Sequence, residues 1–175
     1  MSHRYAELAF TPAVKAAQAL YGSLEGNTRV ERSGGPNDAL GPDEMDFIAQ
    51  RDSFYMATVS ETGWPYIQHR GGPRGFLKVL NEKTLAFADF RGNTQLISVG
   101  NLSGDDKVSL FLMDYPHKTR LKILGHARVV AGNAHSELVT PGYKAKVERA
   151  IIITVEAFDW NCQQHITPRF PAAGE

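Results

Sequence analysis

One cysteine, Cys162, is all the thiol chemistry this sequence carries. A single cysteine closes no intrachain disulfide, so a cystine-stapled fold is excluded and nothing points to an oxidising compartment. An excess of charge is missing too, since 19 Lys and Arg balance 19 Asp and Glu. Zero formal net charge argues against bulk attraction to nucleic acid or to an anionic membrane and leaves only local patches. No apolar run approaches the roughly 18 residues that a spanning helix needs. The longest, such as residues 150–155, have strand length. The first ten residues lack the apolar stretch of a signal peptide. These absences predict a cytoplasmic protein with neither a membrane nor a nucleic acid as partner. What remains is ordinary for one domain: 175 residues, 42% of them hydrophobic and 22% charged, enough to bury about two-thirds of the unfolded surface.

Thr11 and Pro12 read as a helix cap and first turn, followed by Val14, Ala17, Leu20 and Tyr21 at helical spacing and a stop at Gly22. Residues 23–40, rich in Gly, Ser, Asn and Asp, read as a long loop. Pro42 opens a second short helix, with Asp43 and Glu44 at its positive end and Met45, Ile48 and Ala49 on one face. From residue 53 the period becomes that of strands, over 53–60, 65–70, 76–80, 85–89, 107–114, 121–130 and 150–157. A helix over 94–102 interrupts them, with Asn93 as its candidate cap. The polar stretch between 130 and 150 reads as part helix. Short turns without βαβ alternation predict an antiparallel barrel or sandwich rather than a parallel sheet. The chain divides into a helix-and-loop extension (1–40), the strand-rich domain (41–170) and a tail (171–175).

Two segments could hold an anion. Arg91-Gly92-Asn93-Thr94 lies between a strand end and a helix start, where exposed amides, a permissive glycine, a hydroxyl and a guanidinium converge. An ordinary Gly-Asn turn with a capping residue accounts for the same residues. Gln68-His69-Arg70-Gly71-Gly72-Pro73-Arg74 closes a predicted strand. Its glycines let a flat ligand approach the backbone, and its arginines can pair with phosphate or stack on a ring. A bend with solvated arginines is the plainer reading. Lys118-Thr119-Arg120 is a third charged turn, and Trp160 could wall an aromatic ligand or merely cover a barrel mouth. The six histidines, His3, His69, His117, His126, His135 and His165, show no short ligand spacing, so no metal is expected. No sharp acid–base pair stands out, which assigns any chemistry to a cofactor.

Together these segments resemble the pyridoxamine 5′-phosphate oxidase-like, FMN-binding split-barrel superfamily, and in particular its bacterial flavin-nucleotide-binding members. The resemblance spans residues 40–169. It is strongest at Phe54-Tyr55-Met56-Ala57-Thr58-Val59 with Gly63-Trp64-Pro65, at Gln68 to Pro73, at Phe87-Ala88-Asp89-Phe90-Arg91-Gly92-Asn93, and at Trp160-Asn161-Cys162-Gln163-Gln164-His165-Ile166. It implies a six-stranded antiparallel split β-barrel with flanking helices, working as a homodimer with two FMN molecules at the subunit interface. By position, Gln68, His69, Arg70, Gly71, Gly72 and Pro73 would line the isoalloxazine and ribityl chain, with Arg70 reaching the phosphate. Ala88 and Asp89 match the next lining strand, and Arg91, Gly92 and Asn93 the phosphate-gripping turn. Arg120 falls at a polar contact to the flavin ring with Lys118 nearby, and Trp160 and Arg169 near contacts made by the second subunit. Two departures argue against oxidation of a vitamin B6 substrate: the family's Arg-x-His motif is replaced by Gln163-Gln164-His165, and a basic phosphate-turn pair by Gly92-Asn93. The resemblance therefore implies an FMN-dependent oxidoreductase acting on a small molecule. A flavin carrier or redox sensor, and a cofactor-free barrel that stacks oligonucleotides on Phe54, Tyr66 and Phe76, are the competing readings.

Overall fold

The computed structural model of the protein describes residues 1–92, 94–131, 138, 140–160 and 163–170. Its sheet has seven antiparallel strands: β1 (Ser53–Val59), β2 (Pro65–Gly71), β3 (Lys78–Asn81), β4 (Thr84–Phe90), β5 (Lys107–Asp114), β6 (Thr119–Ala131) and β7 (Val147–Trp160). Their order is β2-β1-β5-β6-β7-β4-β3. The antiparallel barrel class expected from the sequence is borne out, with seven strands rather than six.

The long β6–β7 hairpin organises everything else. β5 pairs with the first part of β6, from Thr119 to His126, and β4 with the first part of β7, from Val147 to Thr154. Those two stretches lie at opposite ends of the hairpin, because Leu121 faces Trp160 while Ala131 faces Arg149. So β2-β1-β5 hang from one end and β4-β3 from the other. A register shift between Leu124 and Gly125 marks the changeover, the kind of irregularity that bends a strand. The two half-sheets then close on one core. Phe54 of β1 meets Phe87 of β4 edge-on with ring centroids 5.3 Å apart, and Phe76 stacks on Phe54 at 5.6 Å. Met56, Leu110, Leu112, Leu121 and Ile123 from one half pack with Leu85, Ile151 and Ile153 from the other. The outer strands β2 and β3 are not paired with each other, so the barrel stays split.

Two helices close the ends of this core. α4 (Pro42–Ala49) buries Ile48, and its Glu44 carboxylate accepts from the Gly41 N–H at 2.9 Å and from the Trp160 indole N–H at 2.7 Å. Phe47 meets the Trp160 ring edge-on. α5 (Ile97–Gly104) is tied to β1 by a buried bond from the Asn101 amide to the Thr58 hydroxyl at 2.9 Å, and to β2 by Ser98, whose hydroxyl donates to Gln68 Oε1 at 3.0 Å. Among the described residues no helix is long and apolar enough to cross a membrane.

Three local expectations need correction. Residues 23–40 are not one loop, since α3 (Leu24–Ser33) occupies them, folded back on α2 (Pro12–Leu20) with Lys15 and Glu31 paired at 2.8 Å. A six-residue helix, α1 (Arg4–Ala9), precedes them, capped by His3 and tied to β7 through Arg4 and Glu156. α5 begins at Ile97 rather than at Thr94, because Leu96 takes a left-handed conformation that no regular helix continues through. Its expected cap, Asn93, lies outside the described residues. Phe76 and Leu77 precede β3 instead of belonging to it and are buried as plugs in the core.

Candidate functional site

β2 is an edge strand whose side chains alternate between two faces. Tyr66, Gln68 and Arg70 border one cavity and Ile67 borders another.

The first is a cleft of about 110 Å³ at the open seam, between β2, the end of β4 and the start of α5. Asp89 lines it and links two of its arginines. Its carboxylate accepts from Arg70 Nη1 at 2.7 Å and from Arg149 Nε at 2.9 Å, so a salt bridge joins β2 to β4 where no backbone pairing does. Asp89 is 8% exposed, Arg70 12% and Arg149 21%. Hydrogen bonding to Asp89 raises the Arg149 guanidinium above its ordinary value, against the pull of burial. Arg149 also reaches Glu148 at 2.8 Å, and Glu148 lies 3.7 Å from Arg91. Three arginines thus meet two carboxylates, leaving one positive charge in surplus. Arg70 Nε is buried and has no hydrogen-bond partner, which is costly unless something supplies an acceptor. Residues 97–99, the first turn of α5, complete the wall. Their N–H groups sit at the helix end that carries partial positive charge. The cleft is built for an anion or for a chain of hydroxyls.

The second cavity, about 600 Å³, opens on the other face of β2. Tyr55, Ile67, Phe111 and Met113 make an apolar wall, and Arg120 and Arg169 stand at it. Arg120 Nε is likewise buried without a partner. A third opening, between α2 and α3, is lined by Ala19, Leu24, Thr28, Arg29 and Arg32 and contains none of the residues singled out in the sequence.

Of the residues expected from sequence, Gln68, Arg70, Asp89 and Gly92 come together at the cleft, and Arg120 and Arg169 at the larger cavity. His69 lies on the opposite face of β2 from Arg70, against Tyr55. Gly71 ends β2, paired with Ser53, and Gly72 and Pro73 begin the turn that follows. A Cβ on Gly72 would fall 2.7 Å from the Phe76 ring, so this glycine makes room for the core. Ala88 faces away from the main core into a small cluster with Ala86, Ala150 and Ile152. Arg91 and Thr94 are exposed around the turn after β4. Lys118 is exposed in the β5–β6 turn with φ 54°. Trp160 lines neither cavity and is committed to α4. Asn93 lies outside the described residues. Two residues that line the cleft, Arg149 and Ser98, were not signalled as ligands, and Tyr66 was named only as a platform for stacking bases. The pairing of Asp89 with Arg149 across β4 and β7 is what brings Arg149 in.

Fold and seam together define a split barrel with a cationic cleft where its two half-sheets meet. The family model described as pyridoxamine 5′-phosphate oxidase matches residues 41–159, from the residue that caps α4 to the end of β7. The chain belongs to this family. Among solved structures, a candidate pyridoxamine 5′-phosphate oxidase from Lactobacillus delbrueckii is 20% identical, with 70% of this chain and 94% of that one covered at a TM-score of 0.56. HupZ of Group A Streptococcus is 19% identical over 74% of this chain and all of that one (100%), with a TM-score of 0.56. An F420 reductase is 19% identical over 68% and 98%, with a TM-score of 0.50. Such likenesses speak for the fold. No curated protein matches the sequence.

Proposed function

We propose that the protein binds FMN and serves as a flavin-dependent oxidoreductase, with the flavin held between two copies of the chain. The observation that carries this reading is the buried, unpartnered Nε of Arg70 at the wall of a net-positive cleft. A phosphate or ribityl oxygen is the acceptor it lacks. Arg70, Ser98 and the first N–H groups of α5 would hold that end, and Asp89, already an acceptor for two arginines, would keep their forks aimed at it. A cleft of about 110 Å³ has no room for a three-ring system. The ring needs a larger, flatter wall, which the 600 Å³ cavity with its orphaned Arg120 provides. Within one chain these two walls lie on opposite faces of β2. A second copy that brings its larger cavity to the first copy's cleft supplies both to one ligand, which supports the homodimer.

FMN, when bound, supplies hydride or electron transfer. The protein's part is to anchor the anionic end, wall the ring and set the charge around it. Titrating apo-protein with FMN tests the anchor. Arg70→Ala is expected to weaken binding by about 1.5–3 kcal/mol, the worth of a charged hydrogen bond; wild-type affinity in the variant would remove Arg70 from the site. Positive charge from Arg120 would favour the reduced, anionic flavin. Arg120→Ala should therefore lower the midpoint potential of the bound flavin, and an unchanged potential would leave Arg120 with a packing role only. Sedimentation showing a monomer with FMN bound would reject the two-chain site. Tight FMN binding with no reduction by NADH, NADPH or a reductase would make the protein a flavin carrier, and uptake of deazaflavin in preference to FMN would change the cofactor while keeping the site.

A further inference from the structure

Where β1 begins and β5 ends, an adjoining cavity of about 400 Å³ gathers ionisable groups, of which Arg169 also borders the 600 Å³ cavity proposed to wall the flavin ring. Arg51, Asp52, Arg74, Asp114, His117 and Arg169 line it, beside Tyr115. Asp114 is the hub. Its side chain is nine-tenths buried and accepts from Arg51 Nη2 at 2.8 Å and from the His117 backbone N–H at 3.1 Å, with His117 Nδ1 3.0 Å away. Burial alone would raise the Asp114 carboxyl, but hydrogen bonds from the His117 backbone and ring and the charge of Arg51 bring it below its ordinary value.

An ionised carboxylate can only accept, so the proton of neutral His117 sits on Nδ1. Nε2, on the far side of the ring, is then the basic nitrogen, and the side chain is 79% exposed. Arg51 is committed to Asp114 and to the Phe47 and Met113 carbonyls. Arg74 and Arg169 are not so committed. Among the described residues neither makes an ion pair, and Arg169 lies over the Tyr115 ring at 5.0 Å. Three guanidinium groups meet two carboxylates here, which leaves one positive charge, and two once His117 is protonated. A turn cap explains the bond from the His117 N–H to Asp114. It explains neither the ring nitrogen at the same carboxylate nor two unpaired arginines around the same space. An oxyanion would meet two planar forks and an imidazole that becomes a further donor on protonation.

We propose that this cavity binds a small oxyanion, a carboxylate or phosphate group, held by Arg74 and Arg169 with His117 as a protonatable donor. Asp114 and Arg51 are positioning residues that fix the imidazole tautomer. The cavity shares Tyr55, Met113, Tyr115 and Arg169 with the 600 Å³ cavity, so a molecule anchored by its anion is held beside the wall proposed for the flavin ring. Anion binding itself needs no flavin; use of the anion as the substrate's handle rests on the FMN reading above.

The test follows the His117 imidazole resonances through a pH titration of the full chain, with sulfate and separately with succinate as probes. Linkage is reciprocal, so an anion that prefers protonated His117 must raise its titration midpoint and must bind more weakly as pH rises through it. Both effects are expected, with His126, which pairs with Asp106 on the surface, as the internal reference for a general salt effect. Arg74→Gln and Arg169→Gln should each weaken the probe by about tenfold or more, the equivalent of one charged hydrogen bond. His117→Gln should leave binding independent of pH over the same range. A His117 midpoint that neither probe moves beyond the His126 reference overturns the proposal. So does a shift that survives unchanged in both arginine variants. A response to succinate alone would assign the site to carboxylates, and to sulfate alone, to phosphate-like groups. Because no flavin is involved, failure here and failure of the FMN titration are separate results.

Discussion

Asp89→Ala should lower the unfolding free energy by about 3 kcal/mol, measured as the shift in urea midpoint at constant slope. Removing one partner of a buried ion pair leaves the other charge uncompensated, which typically costs about 3–5 kcal/mol. Here the carboxylate serves two arginines, and both are largely buried. The lower end of the range is expected because Arg149 keeps Glu148 as a partner and retains a fifth of its exposure. The loss falls at the seam, where Arg70 and Asp89 supply a link between β2 and β4 that backbone pairing does not. Replacing Arg70 together with Asp89 by apolar residues of similar size should recover part of the loss, since no buried charge is then left alone. The variant has a second signature. Loss of the carboxylate that keeps the Arg70 and Arg149 forks aimed into the cleft should also weaken FMN binding, so FMN should restore less stability in Asp89→Ala than it adds to the wild type. A midpoint shift worth less than about 1 kcal/mol would mean that this cluster behaves like exposed surface pairs.

That cluster also shows where sequence reading stops. Arg70, Asp89 and Gly92 were legible because each sits in or beside a segment whose local chemistry is odd for a strand end. Arg149 was not, because in Val-Glu-Arg-Ala-Ile-Ile-Ile it looks like a solvated flank of a hydrophobic strand. Only the register between β4 and β7 places it opposite Asp89, 60 residues away in the chain. The same holds for Arg51 and Asp114, which meet across 63 residues and define the second polar cavity. Periodicity carried the strands well: in β1 alternate residues Phe54, Met56 and Thr58 face inward, as a period of two requires. It failed for α3, whose Leu-Glu-Gly-Asn-Thr-Arg-Val-Glu-Arg-Ser buries no residue and includes three poor helix formers in succession. Its support is tertiary and electrostatic, from the contact with α2 and the Glu25–Arg29 pair one turn apart. Trp160 was legible as a residue with a job, but its partner Glu44 lies 116 residues earlier, so the sequence offered no way to distinguish a helix anchor from a ligand wall.

Gly125→Ala carries the other large expectation, a loss of about 3 kcal/mol, at the upper end of what an added methyl group costs in a packed interior. A Cβ at this position would lie 2.5 Å from the Thr154 carbonyl oxygen and 3.0 Å from Ile153 Cγ2. The first obstacle is backbone, so no change of rotamer relieves it. Nor can β7 back away, because the Thr154 stretch is paired on its other side with β4. Gly125 stands at the register shift where the hairpin passes from one half-sheet to the other, so pushing β6 from β7 there loosens both halves. The control is Gly100→Ala in α5, where nothing lies within 4 Å of the added methyl. Helix propensity alone then acts, and the variant should gain about 0.5–1 kcal/mol. Thermal or urea unfolding of the two variants separates close approach from backbone freedom as the reason for glycine. Equal and small effects at both positions would show that β7 yields at Thr154, and the register shift at Gly125 would then not be the rigid joint that sets the angle between the half-sheets.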